Sequence, residues 1–155
     1  MQTIDVLRYG QRTIMGTIAR YGTADWSRTA LGTWTAMDLV GHLGAFEARF
    51  ADTLAGFVGE PVTTGLMDAP SDTFNDDQAA VRAAWTIEAV LAELSDAHER
   101  VMTYAARIPE ATWRQVGTIP WYGSESSLDD LVVYQQYGHK REHDPQLSAA
   151  LEADH

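Results

Sequence analysis

Cysteine is absent from the 155 residues of this chain. Its absence excludes disulfides, thiolate-bound zinc, iron–sulfur clusters and cysteine nucleophiles together. Any metal ion would therefore have to be held by histidine and carboxylate side chains. The remaining composition, with 45% apolar and 21% charged residues, is typical of a folded globular protein rather than a disordered one.

Basic residues are scarce, with 11 lysines and arginines against 22 acidic residues and a formal net charge of -11. This charge repels phosphate backbones and anionic lipid, and the chain lacks the basic surface that nucleic-acid binders use. We therefore expect neither nucleic acid nor a membrane surface as a partner.

Long hydrophobic runs are also missing. No stretch approaches the roughly 20 apolar residues that cross a bilayer, and the start "MQTIDVLRYG" has neither the basic nor the apolar region of a secretory signal. The cytoplasm is the expected location. The length indicates one domain spanning residues 1–155.

What the chain has instead is apolar residues at three- and four-residue intervals, which is typical of amphipathic helices. The first such stripe begins at Ile4 and ends near Arg20. The second begins where Thr35 and Asp38 form a carboxylate variant of the capping box, and it ends near "VGEP".

Two further helices are predicted in the second half of the chain. One opens at Asn75 and continues to Pro109. The other begins at the pair Ser126 and Asp129, and the step from Asp144 to proline is expected to kink or close it.

The connections "GEPVTTGLMDAPSDTF" and "PEATWRQVGTIPWYGSES" are long and without periodicity, and no strand alternation is evident. The pattern therefore predicts an all-α protein, an antiparallel four-helix bundle with long crossover connections.

The last helix carries "YGHKREHDPQ", in which His139, Glu142 and His143 spell H-x-x-E-H. On a continuous α-helix both histidines fall within about 60° of the inward row set by Leu128, one turn apart, where two imidazoles can share a metal ion. An inverted zincin protease would need a ligand far downstream, and only 12 residues follow His143. His42, at the edge of the second apolar stripe, is the natural third ligand; the alternative for all three is satisfied core histidines.

Three other polar residues are candidates near this motif. Glu142 is the best nearby carboxylate for a general base, or else a solvated partner of the neighbouring basic residues. Gln135, one turn before His139, can hydrogen-bond a ligand or substrate, or cap a loop carbonyl. His98 lies on an apolar row and can be a fourth ligand, a substrate contact or a partly buried structural histidine.

Aromatic residues gather in the second long connection. Trp113, Trp121 and Tyr122 can line an apolar substrate pocket above the metal or pack the connection down. Tyr134 and Tyr137 point away from the histidine row, which favours a subunit contact or outer packing over chemistry.

A tryptophan before helix two, a histidine within it and H-x-x-x-H near the end of helix four are Trp34, His42, His139 and His143 in this chain. This order resembles the DinB-like superfamily of four-helix metalloenzymes over nearly the whole chain. The stretches "TIPWYG", "SLDDL" and "YGHKREH" are similar to its ClbS/DfsB branch. The resemblance implies a bundle with a crossover, a divalent metal on three histidines with open coordination positions, and homodimers.

Members of that superfamily are similar to thiol-dependent transferases, isomerases and small-molecule hydrolases. We therefore expect a divalent metal ion, zinc or nickel before iron or manganese, that activates water or a low-molecular-weight thiol against a small electrophilic molecule. The ClbS/DfsB likeness places hydrolysis ahead of transfer. Two alternatives stay open: a noncatalytic protein that binds or sequesters a small molecule, and a degenerate bundle kept for protein association.

Overall fold

The computed structural model describes residues 2–20, 22 and 24–152, and its regular structure is dominated by helices, so the all-α prediction is confirmed. The α-helices are α1 (Thr3–Arg20), α2 (Ala36–Val58), α3 (Phe74–Arg82), α4 (Ile87–Ala105), α5 (Glu110–Arg114), α6 (Leu128–Leu131) and α7 (His139–Glu152). A π-helical segment, Val132–Gly138, joins α6 directly to α7. A 3-10 turn covers Leu66–Asp68, and a short hairpin of β1 (Thr29–Leu31) and β2 (Trp34–Thr35) precedes α2.

The contacts between α2 and α4 define the direction of the bundle. Glu47 contacts His98 and Asp52 contacts Arg100, so the residue numbers rise together along both helices. Neighbouring parallel helices need a long connection between them, and residues 59–86 provide this crossover.

The first helix and the last helical run are also parallel to each other. Thr3 donates a hydrogen bond to Asp129 (2.5 Å) and Thr17 donates one to Asp144 (2.6 Å). Since α7 runs antiparallel to α2, the four long helical units alternate as up, down, down and up. None of the helices in the described residues combines the length and the apolar character needed to cross a membrane.

Two clusters of buried apolar side chains form the core. The first includes Leu7, Phe50, Leu54, Val101, Trp113, Ile119, Leu128 and Leu131. The second includes Ile14, Leu39, Leu43, Val90, Leu94, Leu147 and Leu151. Trp113 and Ile119 therefore hold the second long connection against the bundle by hydrophobic burial. Trp113 also lines a cavity beside the start of α1, to which none of the three histidines belongs.

The prediction of one helix from Asn75 to Pro109 is wrong, because the chain forms two helices there. Helix α3 ends at Arg82, and α4 begins anew after Thr86, whose hydroxyl accepts a hydrogen bond from the Ala89 N–H (3.1 Å). In a continuous helix the Ala89 N–H would bond to a backbone carbonyl of the preceding turn. The Thr86 hydroxyl accepts that N–H instead, so ending one helix and starting another leaves this donor satisfied.

The last helical run begins one residue later than predicted. Ser127 donates its N–H to the Asp130 carboxylate (2.8 Å), and Asp130 donates its N–H to the Ser127 hydroxyl (3.2 Å). The stretch "SSLDD" contains two overlapping Ser-x-x-Asp pairs, and full burial of Leu128 as the first helical residue selects the second pair.

The expected kink or end at Asp144 is also wrong, since α7 continues through Pro145 to Glu152. Leu147 and Leu151 lie beyond the proline and are fully buried. Their burial, worth about 1.5–3 kcal/mol for each side chain, offsets the backbone hydrogen bond that proline removes.

A short hairpin that the sequence pattern does not predict accompanies the helices. Thr29 pairs with Thr35 and Leu31 with Trp34 in a hairpin whose turn contains Gly32 at φ 57°. Strands of two and three residues are too short to show alternation in the sequence.

Candidate metal centre

Helix α2 carries His42 and is fixed at its start by the predicted capping box. Asp38 donates its N–H to the Thr35 hydroxyl (3.1 Å), and Thr35 donates its N–H to the Asp38 carboxylate (2.9 Å). The hairpin immediately before the helix places the Trp34 ring 4.9 Å from the His42 ring, measured between centroids. Trp34 and His42, which both belong to the pattern that resembles the DinB-like superfamily, are therefore in direct contact.

Helix α7 supplies His139 and His143 just after the π-helical segment. Hydrogen bonds in this segment span five residues, so the chain turns less per residue than in the uniform α-helix used for the sequence-based angles. The prediction still succeeds for the two histidines because both follow the segment and keep their i, i+4 relation. Helix α1 approaches the segment at Gly10, where a Cβ atom would lie 2.6 Å from the Gln136 carbonyl oxygen.

The three imidazoles meet between α2 and α7. The Nε2 atoms of His42 and His139 are 2.8 Å apart, and one ligand atom from each of the three rings lies within 4.8 Å of the others. The ring of His143 is centred 4.5 Å from that of His139 and 5.3 Å from that of His42. The cluster could hold a metal ion.

Burial keeps two of these rings neutral at physiological pH. Burial lowers the pKa of His42 to about 3, and the nearby His143 and Arg49 add to the shift. Burial likewise lowers the pKa of His139 to about 3, assisted by His42, His143 and basic neighbours. Because a metal ion binds the neutral imidazole, protons compete weakly for these two ligands.

The third ring is oriented by a neighbour that the sequence reading missed. His143 Nδ1 lies 2.7 Å from the Gln146 side-chain oxygen, so the ring donates there and its Nε2 is left for a ligand. Gln146 lies three residues after His143, one turn along the same helix. This i, i+3 spacing is the feature of the sequence from which the contact could have been predicted.

The donor set fits a divalent transition metal. The cluster is made of three nitrogens with no carboxylate among them, and imidazole suits zinc, nickel, iron and copper. Three protein ligands leave coordination positions for water or a substrate.

Comparison with models of known families gives a match to the DinB superfamily over residues 7–147. The chain belongs to the DinB superfamily. No curated protein and no solved structure matches it.

Close to the histidine cluster of this DinB-superfamily chain lies Arg49, which the sequence reading did not single out. Its guanidinium carbon is 3.9 Å from the centre of the Trp121 ring, 4.1 Å from that of Phe74 and 4.7 Å from that of Phe46. Phe46 also contacts the ring of His139, at 4.7 Å between centroids. The signal in the sequence was the spacing of seven residues between His42 and Arg49, which places both on one face of α2.

The aromatic candidates of the second connection take different positions. Trp121 is half-buried over Arg49 and donates its indole N–H to the Thr53 hydroxyl (2.9 Å). Tyr122 packs on Trp121, with ring centres 5.4 Å apart. Gln135 is half-buried, and its side-chain oxygen lies 3.5 Å from an Arg49 nitrogen. Trp121 and Gln135 therefore come together around Arg49, beside the histidines.

His98 belongs to a different group. Its Nδ1 lies 2.8 Å from the Glu47 carboxylate, and the Lys140 ammonium lies 2.7 Å from the other carboxylate oxygen. Lys140 also donates to Gln11 (2.9 Å). We call these four residues the paired network. Burial raises the pKa of Glu47, but Lys140 and His98 outweigh it and hold that pKa below its usual value.

Glu142 precedes the buried His143 on α7, and its side chain is exposed. The group of potential metal ligands within the described residues contains the three histidines and not this carboxylate. A role for Glu142 as general base stays a prediction.

Proposed function

We propose that this protein is a metal-dependent enzyme in which His42, His139 and His143 hold a divalent ion, zinc or nickel before iron or manganese. Its reaction uses water or a low-molecular-weight thiol against a small electrophilic molecule. The observation that carries the proposal is the convergence of three imidazoles from two helices within 4.8 Å, with no carboxylate in the set.

An ion bound by three neutral ligands keeps its full charge and brings the pKa of a bound water or thiol toward neutrality. The protein's own contribution is orientation and exclusion of solvent. The Gln146 contact fixes the ring of His143, while the rings of Trp34 and Phe46 cover His42 at 4.9 and 4.8 Å. Glu142, at the edge of the site, is the proposed base.

Hydrolysis is placed ahead of thiol transfer because "TIPWYG", "SLDDL" and "YGHKREH" are similar to the ClbS/DfsB branch. Trp121 belongs to the first of these stretches and lies over Arg49. Tyr122 packs on the outer side of this tryptophan, and His98 lies in the paired network. Of the four proposed pocket residues, Trp121 and Gln135 are therefore the ones with support from their contacts near the histidines.

The test is elemental analysis of protein purified without a histidine tag. We expect near-stoichiometric metal in the parent chain, and its loss from His42→Ala and from the double variant His139→Ala, His143→Ala. The matched control is His98→Gln, which removes a half-buried histidine outside the cluster and should leave metal content unchanged. A parent chain that takes up no zinc, nickel, iron or manganese on reconstitution would refute the proposal.

A noncatalytic protein that binds or sequesters a small molecule is the second candidate. The exposure of Glu142 and the absence of a carboxylate from the histidine cluster favour it, because a catalytic base beside the ligands is then lacking. The two candidates separate on metal removal: an enzyme loses turnover, whereas a binding protein of this kind keeps its ligand affinity.

We further propose a homodimer in the cytoplasm. Tyr134 and Val133 project from the π-helical segment with 67% and 50% of their surface exposed, and Tyr9 on α1 is 42% exposed. Light scattering of the purified protein, compared with Tyr134→Lys, tests this: the variant should be monomeric at concentrations where the parent is a dimer.

A further inference from the structure

Arg49 is a buried cation without a carboxylate partner. The residue is 5% exposed, yet no ion pair involving it exists among the residues that the structure describes. Its one side-chain hydrogen bond, to Gln135, is 3.5 Å long, and its Nε atom is buried without a partner. Since a good N–H···O bond measures about 2.7–3.2 Å, the guanidinium is left with most of its donor capacity unused.

Arg82 shows how this chain treats a buried arginine that has a structural role. It is 6% exposed, and two of its nitrogens donate to the two carboxylate oxygens of Glu93 at 2.7 and 2.8 Å. A third nitrogen donates to the side chain of Gln78 at 2.8 Å. Arg82 and Arg49 are almost equally buried. All three side-chain nitrogens of Arg82 donate hydrogen bonds, whereas Arg49 makes only the long hydrogen bond with Gln135 among the described residues.

The two buried carboxylates that neighbour Arg49 on α2 do not balance its charge, because each has other partners. Glu47 forms an ion pair with Lys140. Asp52 accepts hydrogen bonds from Thr63 and Thr64 and lies 3.4 Å from Arg100. The aromatic rings stacked on Arg49 offset part of its desolvation through cation–π contacts. A metal ion on the three histidines would add positive charge to the same region and increase the need for an anion.

We propose that Arg49 binds the oxyanion group, a carboxylate or phosphate, of the small molecule that the histidine cluster handles. This inference rests on the proposed function and narrows its substrate to an anionic one. The planar guanidinium presents paired donors that match two oxygens of such a group, and the Gln135 amide is placed to share in the contact.

Several side chains around the guanidinium are only partly buried. Phe46, Trp121, Gln135 and His139 are each half-buried. Arg49 follows His42 by seven residues on α2, with Phe46 between them in contact with both. A ligand held by Arg49 therefore lies beside the imidazoles rather than at a separate surface.

The test uses three probes of similar shape: benzoate, its neutral amide benzamide, and phenyl phosphate. Calorimetric titrations are made with zinc-loaded and with metal-free protein, because the metal can itself attract an anion. The variants are Arg49→Met, which retains an unbranched side chain, and Arg49→Lys, which keeps the positive charge but lacks the paired donors of a guanidinium. Arg114→Met is the matched control, since that arginine is 70% exposed. Zinc content is measured for each protein.

We expect at least one anionic probe to bind parent protein roughly ten- to hundred-fold more tightly than benzamide, as a charge-assisted hydrogen bond predicts. The preference should disappear in Arg49→Met, fall in Arg49→Lys and remain in Arg114→Met. Which anion binds better tells a carboxylate ligand from a phosphate one.

Equal binding of the three probes, or no binding, by both forms of the parent would overturn the inference, as would an unchanged preference in Arg49→Met. Should that variant not fold, Arg49→Lys decides: a fall in the preference supports the inference and an unchanged preference overturns it. Failure to take up zinc, nickel, iron or manganese refutes the proposed function alone, because the titrations of metal-free protein still test anion binding by Arg49.

Discussion

His139 and Lys140 are consecutive residues of α7, but their side chains enter two different buried regions. Lys140 joins the paired network, where its ammonium lies 2.7 Å from Glu47 and donates to Gln11. His139 enters the histidine cluster, where its Nε2 faces that of His42 and its Nδ1 is buried with no hydrogen-bond partner among the described residues. One region is closed by its own contacts, and the other is not.

The contacts of a buried polar group indicate its role: groups paired within the chain stabilise the fold, and groups without such partners are candidates for binding a ligand. Buried donors and acceptors are nearly always satisfied in folded proteins, and an unpaired one costs about 1–3 kcal/mol. At Arg82 the chain meets that requirement with hydrogen bonds to Glu93 and Gln78, and in the paired network it places Lys140 2.7 Å from the Glu47 carboxylate as an ion pair. At the histidines and Arg49 it does not meet the requirement, and the metal ion and the anion proposed above would compensate the cost there.

Breaking the paired network gives the largest expected effect. Glu47→Gln removes the counter-charge of Lys140, which is only 2% exposed, and should lower the free energy of unfolding by about 3–5 kcal/mol because a buried charge is left uncompensated. Urea denaturation of the metal-free protein measures this. The double variant Glu47→Gln, Lys140→Met should recover most of the loss; a single variant as stable as the parent would contradict the assignment.

The two buried arginines should respond in opposite ways to the same substitution. Arg82→Met strands Glu93 and should cost about 2–4 kcal/mol, whereas Arg49→Met removes an unpaired charge and should change stability by no more than about 1 kcal/mol. Both are measured by urea denaturation of metal-free protein. Equal losses would mean that Arg49 is as much a structural residue as Arg82.

A smaller effect is expected at Gln146, which connects the histidine cluster to its own helix. Gln146→Leu removes the acceptor for His143 Nδ1 and should weaken zinc binding about 10–100-fold, the usual range for a residue that orients a ligand. Competition with a chromophoric chelator measures the affinity. Gln146→Glu keeps an acceptor and should bind zinc close to the parent level, so similar losses in both variants would point to a packing defect.

The sequence predicted the cluster because its signals are local. The i, i+4 spacing of His139 and His143 and the capping box before His42 depend on residues within one or two turns. The same pattern could not show the π-helical segment before His139 or the continuation of α7 through Pro145. Both depend on distant packing, of α1 at Gly10 and of the buried leucines beyond the proline.

Arg49, Glu47 and Lys140 were not predicted from the sequence for a related reason, although His98 was named as a possible structural histidine. An arginine or glutamate on an apolar helix looks like a solvated residue until its neighbours are known, and those neighbours come from other helices. Glu47 meets Lys140, which lies 93 residues later. Only the fold distinguishes a charge with a partner from one without.

Acid should disturb the two regions in different pH windows. The pKa values of His42 and His139 are lowered to about 3 from an ordinary 6.5, so the unfolded chain binds protons that the folded chain does not. Their contribution to stability is therefore nearly complete well above pH 6.5 and is lost as the pH falls through and below that value, by about 1.5 kcal/mol for the two together between pH 7.5 and 6. Glu47, whose pKa is lowered from 4.5, keeps its contribution until the pH falls below that value.

Urea denaturation of metal-free protein at pH 7.5, 6 and 5 measures the first window. The double variant His42→Gln, His139→Gln should lose much less stability over this range, while His98→Gln should follow the parent. If the stability of the parent chain is constant from pH 7.5 to 5, the two imidazoles have the same pKa in the folded and in the unfolded chain. The proposed difference between the paired network and the histidine cluster would then be wrong for His42 and His139.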